Sequence, residues 1–268
     1  MRTRLLIIFF LVVSFFLSGT HSFALEKQGI DSTWNNWNFR ISPYFWYIGL
    51  KGTIYRPPSP VQMPIPPPPK FEIDVSFKDI RHSIKFALML AGQYRNKHIV
   101  TQFNFSSLVL ESEAITPLEL LLQDNIINLT FLAGDIGIGY RIIKNPKLEF
   151  DALLGIKFMY FGIGLKTKLA GIVPIEGERD NLWIDPVIGI NFKYRPHHKI
   201  EFNSHADFGP PYPDNINSYQ AMLGTSYLFT KTFLISVGYR IYHVDFPKDE
   251  AIFIGDIKGW MMRIDFQF

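Results

Sequence analysis

From Trp37 onward the chain alternates apolar and polar positions with a period of two. That is the period of a strand with one apolar and one polar face. The pattern is cleanest at 260–268, where Trp260, Met262, Ile264, Phe266 and Phe268 share one face and Met261, Arg263, Asp265 and Gln267 the other. Phe233, Ile235, Val237, Tyr239 and Ile241 likewise stand opposite Ser236, Gly238 and Arg240. The alternation recurs at 219–229, 200–208, 184–194, 148–162, 128–142, 99–109 and 84–94. A first strand near Trp37 to Tyr55 is interrupted at Pro43, and a proline there suits a strand end or bulge. These segments predict ten strands; a mis-split segment, above all 71–83, would make the count eight or twelve.

The connections decide what the strands build. Four are short and polar, at 95–98, 144–147, 195–198 and 230–232. The others are longer, at about 56–80, 110–127, 166–182, 209–217 and 246–257. Strict short–long alternation is the pattern of an outer-membrane barrel with short periplasmic turns and long external loops. A soluble sandwich also alternates, but three features favour the barrel. Aromatics stand near strand ends, as at Trp37, Tyr94, Tyr140, Tyr194 and Tyr227, as interfacial girdles require. The strands are long enough for a tilted span. Trp260, Met262, Ile264, Phe266 and Phe268 form an alternating terminal strand that resembles the signal read by the outer-membrane assembly machinery. The expected fold is all-β: a transmembrane antiparallel up-and-down β-barrel of about ten strands over 37–268.

The first residues read as an address. Arg2 and Arg4 precede the apolar run Leu5 to Leu17, and Ser22-Phe23-Ala24 supplies a cleavage site. Residues 1–24 are therefore expected to be a signal peptide cleaved near Ala24, and 25–36 a periplasmic N-terminal segment. Composition removes other classes. The absence of cysteine excludes a disulfide scaffold and Cys-ligated metal sites, and suits an oxidising compartment. A formal charge of +3 gives no electrostatic case for nucleic acid. With 47% hydrophobic and 16% aromatic residues the chain can order itself. After residue 24 no stretch is apolar enough for a membrane helix.

Ile41-Ser42-Pro43-Tyr44-Phe45-Trp46, Trp183-Ile184-Asp185-Pro186-Val187-Ile188-Gly189, Ala206-Asp207-Phe208-Gly209 and Gly238-Tyr239-Arg240 carry a family resemblance. The chain looks like a small-barrel Gram-negative outer-membrane protein, of the broad class that includes the outer-membrane protein W type. More closely, it resembles a widespread uncharacterised family of such proteins. The resemblance implies a barrel and brings no established activity. Family members usually carry more glycine after the position of Asp207, where Pro210 and Pro211 stand here.

If the apolar face meets lipid, the polar face lines the lumen. It would hold Arg40, Lys85, Arg95, Asp135, Arg141, Glu149, Asp151, Lys157, Asp185, Lys193, Glu201, His205, Asp207, Arg240, Arg263 and Asp265. A narrow barrel fills its lumen with side chains, and mixed charges there should pair. Two readings follow: a salt-bridged structural plug, or a narrow channel for ions and small solutes. The sharpest catalytic candidates are Glu201, Ser204, His205 and Asp207, but Ser204 and His205 point to opposite faces of a strand. No catalytic motif, cofactor or metal site is expected. The alternatives are an outer-membrane hydrolase acting on lipid or peptide, and a surface-binding protein using its external loops. The loops offer a proline-rich run at 56–70 and a stretch at 116–122 with the signals of a short helix. The expected partners are outer-membrane lipid and the assembly machinery, around a monomer.

Overall fold

Alternation becomes structure along twelve strands among the described residues. These are β1 (Phe39–Trp46), β2 (Gly49–Tyr55), β3 (Lys70–Val75), β4 (Ile84–Asn96), β5 (Ile99–Glu113), β6 (Leu122–Lys144), β7 (Leu148–Leu169), β8 (Val173–His197), β9 (Ile200–Gly209), β10 (Asn217–Thr230), β11 (Phe233–Asp245) and β12 (Phe253–Gln267). The computed structural model describes residues 37–55, 70–113, 122–169, 173–209, 217–245 and 253–268. The expected signal peptide, the segment 25–36, the proline run over 56–69 and the stretch 116–121 lie outside them. Ten strands close an antiparallel ring in the order β1-β4-β5-β6-β7-β8-β9-β10-β11-β12, with β12 pairing back onto β1. β2 and β3 stand outside the ring, paired to β12 and to each other.

The ring forks beside Pro43. β1 and β2 run in one unbroken register along β12, with Arg40 opposite Gln267, Trp46 opposite Met261 and Gly52 opposite Gly255. On their other edge the partner changes. β4 pairs from Phe39↔Tyr94 to Pro43↔Leu90, and then β3 takes over from Leu50↔Val75. Proline has no N–H to give a ladder, so the β4 ladder ends there. Above it the Trp46 N–H reaches Met89 Sδ at 3.1 Å. A single-turn helix, α1 (Phe77–Ile80), and a 3₁₀ turn at Arg81–Ser83 carry the chain from β3 to β4. The Ser76 N–H and hydroxyl donate to Asp79 Oδ2 at 2.9 and 2.6 Å and start that helix. Both bonds hold the Asp79 carboxyl below its ordinary pKa. Pro43 therefore does not disturb facing: Arg40, Ser42, Tyr44, Trp46 and Ile48 are all buried in strict alternation.

Several expected loops are shorter than the sequence suggests, 253–257 beginning β12 and 70–75 forming β3. Residues 122–127 begin β6, and 166–169 and 173–182 extend β7 and β8. β6, β7 and β8 reach 23, 22 and 25 residues. About 9–11 residues suffice to cross a bilayer, so these strands form a wall that rises past the rest of the ring. Above Ile188 no described strand pairs with the β9-side edge of β8. The four turns at the other end are tight. In the first of them Lys97 takes a left-handed φ of 46°, a conformation that lets a two-residue hairpin match strand twist.

The outer face is apolar. Ile136, Ile138, Leu154, Ile156, Ile184, Ile188, Leu223 and Trp260 all point out and are more than half exposed. Tyr94, Tyr140, Tyr194 and Tyr227 ring the turn end. Phe266 and Phe268 are exposed with Met262, whereas Ile264 is half-buried. Trp37 departs from this girdle. It is 2% exposed and turned inward, because the guanidiniums of Arg95 and Arg40 lie 3.7 and 4.4 Å from its ring.

Candidate functional site

The interior is built in three tiers. At the turn end, Glu149 of β7 accepts from Arg95 of β4 at 3.1 Å and from Arg195 of β8 at 2.9 Å. Arg141 of β6 lies 3.3 Å from its second oxygen and bonds Asp151 at 2.7 Å. Arg195 also donates to Glu201 of β9 at 2.8 Å, and Arg40 of β1 reaches the same carboxylate at 3.4 Å. Arg40 and Gln267 close the circuit at 3.1 Å. Every charged member is at most 5% exposed. Seven strands and the residue Trp37 before β1 thus meet across the lumen, with Trp37 as the platform beneath the arginines. Asp265 stands beside this network, accepts from Ser42 and Ser236, and forms an ion pair with Arg263 at 2.7 Å.

The middle tier is polar and less crowded. Asp207 accepts from Lys157, from Gln220 at 2.9 Å and from the His205 ring at 2.8 Å. The other ring nitrogen of His205 contacts Asn191 Oδ1 at 2.8 Å. Arg240 donates to Gln220 and to the Tyr44 hydroxyl, and lies 4.0 Å from Asp135. Asn104 donates to Asp135 at 3.2 Å. All of these groups except Lys157 and Asp207 border a cavity of about 110 Å³. Above it the third tier is apolar. Trp46, Ile48, Met89, Leu108, Leu110, Phe131, Met159, Phe161, Trp183, Val244 and Ile257 pack into one buried cluster, with Ile80 of α1 set on top. The lumen is therefore polar only over its turn-end half.

Most of the expected lining residues meet in these tiers, but one does not sit as the alternation suggests. Lys85 is on the outer rim, not in the lumen. A bulge between Ile84 and Phe86 shifts its facing by one, and its ammonium meets Glu111 outside at 2.8 Å. Asp185 is half-buried near the loop end and accepts from Ser218 at 3.2 Å. Arg263 is 14% exposed and folds back on Asp265. Glu201, His205 and Asp207 share a face, yet Glu201 belongs to the turn-end network while His205 and Asp207 lie in the middle tier. Both nitrogens of His205 are engaged by an amide and a carboxylate, and Ser204 stands on the outward parity with Phe202 and Phe208. The geometry needed for a nucleophile and base is not assembled there. The sequence reading missed Trp37, Tyr44, Asn104, Asn191, Arg195 and Gln220. Their signal was present, because each falls on the inward parity or at the strand end that continues it.

A ring of ten tilted strands, lipid-compatible outside and charged inside, is inverted relative to a soluble protein. Comparison with solved structures agrees. The outer membrane protease OmpT of Escherichia coli aligns over 86% of this chain and 97% of its own, with a TM-score of 0.52 at 11% identity. The fold is that of a Gram-negative outer-membrane β-barrel. Two looser matches are the attachment invasion locus protein Ail of Yersinia pestis and the toluene transporter TodX of Pseudomonas putida. Ail has a TM-score of 0.34 at 11% identity, over 86% of this chain and 99% of its own. TodX has 0.35 at 8% identity, over 89% and 92%. Residues 128–251 match a family model described as a protein of unknown function, DUF481. No curated protein sequence matches the chain.

Proposed function

We propose that this is an outer-membrane barrel that is closed to solutes and works at its loop end. One observation carries the reading: the lumen is filled at both ends, by the arginine–carboxylate network on Trp37 and by the apolar cluster under Ile80. An ion crossing the barrel would have to break the first and then enter a section that offers it no hydrogen bonds. The short turns then face the periplasm, and the tall β6–β8 wall stands outside the cell as a surface for binding. Its long, singly paired edge supports that second part. A ring closed on itself leaves no sheet edge in its turn-end half, which suits a monomer in lipid. The exported chain would reach this state through the assembly machinery, with Trp260 to Phe268 as the recognised strand.

Purified protein, folded as judged by heat-modifiable gel migration, should give no discrete steps in a planar bilayer. Steady steps whose size changes with Arg240→Ala or Asp207→Ala would overturn the closed reading. Orientation has its own test, because the chain lacks cysteine. On intact cells a membrane-impermeant maleimide should label Asp180→Cys, in the exposed part of the wall, and leave Lys147→Cys, in a tight turn, unlabelled. Labelling of Lys147→Cys alone would invert the barrel.

A further inference from the structure

Lys193 is the one interior cation that makes no ion pair within 4.0 Å among the described residues. Its Cα partner across the β7–β8 ladder is Glu149, yet Glu149 is taken by three arginines. The Lys193 ammonium turns away and donates to Gln93 of β4 at 2.7 Å. It lies over the Trp37 ring at 5.3 Å. No carboxylate oxygen of the described residues comes within the 4.0 Å of an ion pair. The residue is only 7% exposed. An ammonium has three protons to donate, and a buried charge left uncompensated is costly.

What Lys193 faces is the middle cavity. Arg40, Arg240 and Arg263 border the same space, and Asp135 is the only carboxylate among the described residues that does. Gln102, Asn203 and His205 add groups that can donate or accept, beside the apolar Phe103, Met222 and Met261. About 110 Å³ holds a few waters or one small oxyanion. We propose that this cavity is a binding site for a small oxygen-bearing anion, a carboxylate or phosphate group, with Lys193 as its direct charge partner. The guanidiniums of Arg40 and Arg240 are bonded to Glu201, Gln267, Gln220 and Tyr44 and add positive charge at the border of the same space. The ion would neutralise the cationic excess left when the turn-end carboxylates are consumed by arginines. Binding of this kind does not require a conducting pore, since exchange needs only loosening of the loop end. It therefore stands or falls separately from the conductance result.

The test uses the full folded barrel in detergent at constant ionic strength. Chloride is replaced stepwise by inorganic phosphate and, in parallel, by acetate, and the melting temperature is followed. A saturable rise on the order of 5 °C is expected for one of the two at a hundredfold excess over its dissociation constant. Phosphate alone points to a phosphate group, acetate alone to a carboxylate. In Lys193→Gln the rise should vanish. In Lys85→Gln, on the outer rim, it should persist. Lys193→Gln should still give the folded band in heat-modifiability gels in the anion-free buffer, so that loss of the rise is not loss of the fold. A bromide soak should place an anomalous peak beside Lys193 Nζ. No saturable rise in wild type, or an equal rise in wild type and Lys193→Gln, would overturn the site; the latter would mark surface salt effects.

Discussion

Glu149→Gln should destabilise the barrel by about 3–5 kcal/mol, the cost of removing one partner of a buried ion network. The carboxylate is 1% exposed and is shared by Arg95, Arg141 and Arg195. Gln keeps the shape and loses the charge, so the loss is electrostatic rather than a cavity. Asp151 and Glu201 still answer Arg141 and Arg195, and the penalty falls mainly on Arg95 and the Trp37 platform beneath it. Urea unfolding in lipid vesicles, read by tryptophan fluorescence, measures it. Adding Arg95→Gln to Glu149→Gln should recover part of the stability, since the pair is then removed together. A Glu149→Gln midpoint equal to wild type would mean the arginines are satisfied without that carboxylate.

Gly259→Ala should prevent the ring from closing. A Cβ at Gly259 would stand 1.8 Å from the Tyr47 carbonyl oxygen and 2.8 Å from its carbon. Both are backbone atoms, held by the Tyr47 N–H to Trp260 carbonyl bond at 2.8 Å and by the Trp46 indole donating to the Gly259 carbonyl at 3.3 Å. No side chain can swing aside, so β12 and the β1–β2 strand must separate where the fork begins. The cost exceeds the roughly 1–3 kcal/mol of ordinary overpacking. The folded band in heat-modifiability gels should fall several-fold. Gly164→Ala is the control: its Cβ would meet Asn128 at an ordinary 3.7 Å. Equal folding yields for the two variants would show that the fork tolerates a wider strand spacing.

The membrane-spanning parts of nine strands were legible because lipid on one side and polar groups on the other impose alternation. Where that contrast ends, legibility ends. Glu176-Gly177-Glu178-Arg179-Asp180 continues β8 with polar residues in succession, because the strand has left the level that demands an apolar outer face. The apolar upper lumen failed for the opposite reason. Leu108, Val109 and Leu110 are apolar on both faces, so period two has nothing to distinguish. Lys85 was misplaced by a bulge, which no alternation reports in advance. The charged residues were identifiable as inward, but their partners were not. Lys157 has Asp135 and Asp185 as ladder neighbours and bonds Asp207 instead, two strands away. Arg40 meets Glu201 across the ring, 161 residues on. Such pairings depend on strand tilt and stagger, which closure sets and local sequence does not.

Hydrogen bonds hold the ring all the way round only below Pro43. Above that level β1–β2 turns to β3, and the upper part of β4 has β5 alone as a ladder partner. The gap is spanned by side chains: Met89 under the Trp46 N–H, Ile80 on the apolar cluster, and Phe77 edge-on to Phe45 and Tyr47 at 5.6 and 5.0 Å. The molecule is thus a rigid band below and a split collar above. Prising the collar apart sacrifices van der Waals contact and no backbone ladder, whereas widening the band breaks a full strand pairing. A line of compliance thus runs up the wall beside β4, and amide protons of β4 above Leu90 should exchange well before those of the same strand below it.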